Sequence, residues 1–224
     1  MPQTPYLYRM ARNVSSKETM LTNIRNALIN KAKQPFPNLE AAEQVYAREE
    51  ESLEVLFAQE LQAVNGGFLF CEDAAELTAT LSELITIKNW KQVVCPEPWI
   101  SGMLQENAFT AFEIAGAVTE AEVGIMGCDA LIARTGSILI SSRLASGRTL
   151  PVYPPVNIVI ATTDQLVYDI QNGFDLLRKQ YDGQLPSMVN LATGPSRTAD
   201  IEKTLVLGAH GPREVYVFLL DKTE

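Results

Sequence analysis

The hydrophobic pattern divides the chain into a helical start and an alternating body. From Ser16 to Lys33, Met20, Leu21, Ile24, Ala27 and Leu28 recur at helical spacing, with Ser15 and Ser16 as candidate caps. "QPFPN" interrupts, because each proline restricts its own φ and disfavours helix in the residue before it. A second helix is predicted over about Glu40–Val64, with the acidic run Glu49–Glu51 on its solvated face. These two helices form an expected N-terminal helical arm over residues 1–65.

Beyond it, "GGFLFCE" reads as a strand, Ala74–Lys88 as an amphipathic helix, "KQVVCPE" as a strand and Trp99–Asn107 as a short helix. Strands alternating with helices at this spacing predict a parallel sheet in an α/β domain over residues 66–224. "EVGIMGCDALIARTGSILISS" then places Gly136 between two β-prone runs, which predicts a hairpin or bent strand pair. "VNIVIAT" reads as a buried strand, Leu166–Tyr181 as a helix, and "SMVNLAT" and "EVYVFLLD" as further strands.

Composition narrows the functional classes. A hydrophobic content of 46% and a charged content of 20% are those of an ordinary soluble globular protein. With 27 acidic against 18 basic residues, the formal net charge of −9 argues against nucleic-acid partners. No apolar run has signal-peptide or membrane-span length, so a cytoplasmic protein without membrane insertion is expected. Cys71, Cys95 and Cys128 lie far apart and the chain has one histidine, so no metal or cluster of its own is expected.

Chemistry concentrates in "ATGPSRTADIEKTLVLGAHGP", residues 192–212. Here Ser196 or Thr198 would cap a helical turn, with Asp200 and Glu202 in its first turn. Such a start presents free backbone N–H groups at a strand end, where Gly194 and Pro195 make the turn and Arg197 would grip a carboxylate or phosphate. His210, beside Gly211, would exchange a proton near neutral pH. The structural alternative is a turn, a set of caps, a paired arginine and a loop histidine. A second cluster, Thr135, Gly136 and Ser137, suits either an anion-binding nest or a tight hairpin. The loop "SSRLASGRTLPVYPP" reads as a lid or a solvated connection. "EVGIMG" fits a three-position glutamate pattern of CoA-transferases, but so short a match arises readily by chance.

"TGPSRTADIEKTLVLGAHGPREVYVFLLD" resembles the C-terminal signature of the lactate-utilisation protein C family, the LUD domain, and "GCDALIARTGSILI" resembles its upstream motif. The resemblance runs from about Gly66 to Asp221. It implies a Rossmann-like α/β sheet of the sugar-phosphate isomerase and CoA-transferase type. It further implies a subunit of a complex that oxidises L-lactate to pyruvate, acting with iron–sulfur partner proteins that carry the clusters, with a small organic acid as ligand. The matching positions are Thr135, Gly136, Ser137, Gly194 to Thr198, Asp200, Glu202, His210 and Gly211. Two positions depart from the family: Arg134 stands where many relatives have an acid, and Asn157 where they often have histidine. A freestanding isomerase or CoA-transferase-like enzyme and a non-catalytic carboxylate sensor are the alternative functions.

Overall fold

The computed structural model describes residues 16–29, 51–109, 117–201, 204–208 and 210–222. Helix α1, Ser16–Ile29, carries the helical spacing of its apolar residues and forms in a compact unit of its own, residues 1–49. The remainder, residues 50–224, is a second compact unit. Residues 40–50 of the expected second helix lie outside the described residues.

In the larger unit, helix α2 (Leu53–Ala63) starts where Ser52 Oγ accepts from the Val55 N–H. It buries Leu56, Phe57 and Leu61, so this part of the expected arm is core. Strand β1 (Gly67–Cys71) leads to helix α3 (Ala74–Lys88). Asp73 caps α3 by accepting from Glu76 N–H at 2.8 Å, and Asn89 closes it in left-handed backbone. Leu77, Leu81 and Ile85 repeat every four residues and form its buried face. Strand β2 (Val93–Val94) follows, then helix α4 (Pro98–Glu106), opened by a proline in its first turn where no N–H is needed.

Strands β3 (Val123–Met126), β4 (Ala130–Ile132), β5 (Ser137–Ser141), β6 (Val156–Thr162) and β7 (Leu166–Val167) come next. Helix α5 (Ile170–Gln180) begins later than the pattern implied, because Leu166 and Val167 pair with β4 and an Asp169/Asn172 capping box sets the start. Strands β8 (Val189–Ala192), β9 (Arg197–Ile201), β10 (Thr204–Leu207) and β11 (Glu214–Leu220) complete the chain.

The Rossmann-like centre is a five-stranded parallel sheet in the order β1-β11-β6-β3-β2. All of β3 and nearly all of β6 are buried, as strands covered on both faces must be. One face packs on α3 and α4 through Ile125, Ile158 and Phe218. The other packs through Met126, Val159 and Val217 on α2 and on a second sheet, ordered β7-β4-β5-β8. Helix α5 covers the far side of that second sheet through Leu177, and Gly173 allows the approach to Ile132. The expected hairpin around Gly136 is β4–β5, paired antiparallel. The chain therefore leaves the parallel sheet after Met126, enters the second sheet at Ala130 and reverses direction over residues 133–136. Among the described residues, no helix is long and apolar enough to cross a membrane.

Candidate functional site

Both motif turns converge on the C-terminal end of α2. At the β4–β5 turn, Gly136 has φ 57°, and a Cβ there would lie 2.4 Å from the Leu61 backbone nitrogen. The turn is thus sealed under the helix. Ser137 Oγ lies 2.7 Å from Thr135 Oγ1 and 2.8 Å from Thr193 Oγ1, linking this turn to the next one. There Gly194, at φ 72°, presses on Val64, whose carbonyl oxygen would lie 2.8 Å from a Cβ. The Arg197 guanidinium donates to that same carbonyl.

The expected helix start at 196–202 is corrected: Arg197–Ile201 is a strand, paired antiparallel with Thr204–Leu207. Thr198, Ile201, Thr204 and Val206 are β-branched, and a partner strand lies only a few residues away, so pairing satisfies the backbone better than a short helical turn. Asp200 therefore lies in a strand and no row of helix-start N–H groups faces a ligand. Glu202 lies outside the described residues. The hairpin's base is fixed where Ser196 N–H donates to the Pro212 carbonyl at 2.8 Å and Gly208 N–H to the Ser196 carbonyl at 2.9 Å.

This base brings Gly194, Pro195, Ser196, His210 and Gly211 around one cavity of about 310 Å³ between the two sheets. Thr135, Gly136, Ser137 and Arg197 are not on its wall. Met126, Ile138 and Val159 supply apolar surface, and His210 is exposed at the rim. Asn157 lies in the wall, 5% exposed. Its Nδ2 donates to the Pro151 carbonyl at 2.9 Å, while Oδ1 has no partner among the described residues. Among the described residues, no Asp, Glu, Lys or Arg lines the cavity.

A second, larger cavity of about 870 Å³ lies past the carboxyl ends of β3 and β6, the customary ligand edge of a parallel sheet. Buried Glu97 and Asp129 face it together with Arg143 and Tyr181. Asp129 accepts from Ser141 N–H and Tyr181 O–H, each at 2.6 Å. Burial pushes its carboxyl above the ordinary range despite these donors, and the Glu97 charge adds to the rise. Burial and the Asp129 carboxylate push the Tyr181 hydroxyl up to about 12. Glu97 accepts from Ser146 N–H at 2.9 Å, so the two carboxylates fasten the 141–146 loop. The sequence reading missed this cluster. Its signal was a lone Asp129 within an otherwise apolar run, and Glu97 between two prolines.

Other candidates take structural places. Arg134 contacts both carboxylate oxygens of Asp169, at 3.2 and 3.3 Å, anchoring the start of α5. Glu122 is exposed and accepts from the Lys91 and Gln92 N–H groups, bonds that hold its carboxyl below the ordinary range. Burial raises the Cys71 thiol to about 11, the Cys95 thiol to about 12 and Cys128 further, which leaves them poor nucleophiles. Among the described residues, no three His, Cys, Asp or Glu side chains are grouped to hold a metal ion.

The LUD domain family model matches residues 55–220. The Lactate utilization protein C of Bacillus subtilis is 30% identical over 146 residues, 63% of this chain and 58% of that protein. Its Geobacillus kaustophilus namesake is 34% identical over 109 residues, 47% of this chain and 45% of that one. An uncharacterized protein of Neisseria meningitidis is 35% identical over 102 residues, 46% of this chain and 43% of its own. The matches thus span about half the length of these curated relatives. A crystal structure of a DUF162 family protein from Deinococcus radiodurans shares the fold at a TM-score of 0.56 and 19% identity. That likeness covers 75% of this chain and 96% of the other. With the family model reaching from α2 to β11, the chain belongs to the LUD domain family.

Proposed function

We propose that this chain serves lactate utilisation in the cytoplasm, as a subunit of an L-lactate-oxidising assembly with iron–sulfur partner proteins. Its motif cavity would take a small organic anion. The observation that carries this reading is the convergence of Gly194–Ser196 and His210–Gly211 on one cavity. The name borne by its Bacillus and Geobacillus relatives supplies the metabolic context. Electron transfer would fall to the partners. On this chain, His210 is the candidate general base for a hydroxyl proton, since it stands at the rim between cavity and solvent.

Reconstitution with the partner proteins tests the reading. Lactate-dependent reduction of an electron acceptor should fall about 10²–10⁴-fold in His210→Gln, while the melting temperature stays close to wild type. Turnover that survives the substitution removes His210 from the chemistry. A tagged chain that captures no iron–sulfur protein from its own cells removes the assembly.

A further inference from the structure

The lining of the motif cavity points beyond a three-carbon acid. At roughly 30 Å³ for each water-sized group, about 310 Å³ holds about ten such groups, whereas lactate has only six non-hydrogen atoms. Met126, Ile138, Ile140, Val159 and Val215 make the wall largely hydrocarbon, and among the described residues no Lys or Arg side chain reaches it. A carboxylate pushed into that space would lose its hydration without gaining a charge partner.

The cation is one step outward. A neighbouring cavity of about 570 Å³ shares Val152, His210 and Gly211 with the first and adds Tyr153, Gly208 and Arg213. Gly208, at φ 73°, makes this arrangement possible: a Cβ there would lie 2.1 Å from Arg213 Cγ, so the arginine stem crosses where a side chain would have been. The Arg213 N–H donates to the Pro155 carbonyl at 2.7 Å, which anchors the residue's backbone at the mouth. Among the described residues, the Arg213 guanidinium has no carboxylate partner, while neighbouring Glu214 pairs with Lys88.

We infer that the connected cavities bind an amphiphilic monocarboxylate of roughly six to eight carbons, its hydrocarbon end between the sheets and its carboxylate outside between His210 and Arg213. This rests on the reading of the cavity as an organic-anion site and names the class of anion. Lactate would then fill only the outer end of the site, beside His210 and Arg213, and bind more weakly than hexanoate.

Calorimetry on the full chain with acetate, lactate, butanoate, hexanoate, octanoate and neutral 1-hexanol tests it. Affinity should rise about fourfold for each methylene added between butanoate and octanoate. Arg213→Gln, an exposed substitution whose folding is checked by melting, should weaken hexanoate about fivefold and leave hexanol unchanged. The chain's single histidine provides a resolved imidazole resonance, which hexanoate should shift in wild type. Lactate binding as tightly as hexanoate, with Arg213→Gln without effect, overturns the inference but leaves the small-anion reading standing. Binding of no carboxylate at millimolar concentration overturns both. Hexanoate binding that leaves the His210 resonance unmoved puts the ligand elsewhere and also overturns it.

Discussion

Gly136 and Gly194 both hold left-handed backbone, both sit in motif turns and both press on the end of α2. Around Gly136 the contact is backbone against backbone, and Ser137 is buried beneath it. Around Gly194 the chain passes Val64 and then opens along a cavity wall shared with His210 and Gly211. The same residue types therefore do different work. In the first turn, small side chains let a helix approach; in the second, they also leave space for a ligand. Motif composition alone does not distinguish the two, because a nest and a tight packing contact both call for glycine beside a hydroxyl residue.

The comparison can be broken most strongly at Gly136. Gly136→Ala combines a left-handed backbone with a clash against α2, and should cost about 3 kcal/mol or more. Gly183→Ala is the control: its φ is 77°, but nothing lies within 4 Å of the added carbon, so about 1 kcal/mol is expected. Urea unfolding of both variants measures the difference, and equal losses would mean that α2 does not seal the turn.

Asp129→Ala should follow, at about 2 kcal/mol, because it strands the Ser141 N–H and Tyr181 O–H donors. Asp129→Asn gives a pH test. Burial raises the folded carboxyl above its ordinary 3.8, so the native state keeps this proton to higher pH than the unfolded chain does. The stability it contributes is present below the ordinary value and declines as pH rises through the raised one. That decline should disappear from the stability profile of Asp129→Asn.

Arg197→Ala separates clasp from ligand grip. Loss of the bond to the Val64 carbonyl should lower stability by about 1 kcal/mol and leave carboxylate affinity unchanged. Reduced affinity with unchanged melting would restore Arg197 to the anion site. The smallest expected stability effect is that of His210→Gln, within about 0.5 kcal/mol, since the side chain is exposed. A larger loss would make His210 structural, like the residues around Gly136.

Local signals anticipated the elements that local physics decides. Ala74–Lys88 forms with the expected bounds because its apolar spacing, Asp73 cap and Asn89 stop all lie within the segment. The same holds for the apolar run of β6 and for the hairpin glycine at 136. The strand at Arg197–Ile201 escaped because its capping-type residues suit a helix start equally well, and only the pairing with Thr204–Leu207 decides between them. The cavity facing Glu97 and Asp129 escaped because 32 positions separate them in sequence, and only adjacent β2 and β3 bring them together.

By itself, the sequence determined the parallel α/β centre, the β4–β5 hairpin, the LUD resemblance and the set of residues available for chemistry. Periodicity, caps and unbroken motifs are properties of neighbours along the chain. The tertiary structure alone decided which motif residues meet at a cavity and which are spent on packing. It held Gly136 under α2, turned Arg197 onto Val64, and set His210 and Arg213 along one rim. Those outcomes depend on which backbone donors, charges and surfaces the fold leaves unsatisfied, a quantity summed over residues far apart in sequence.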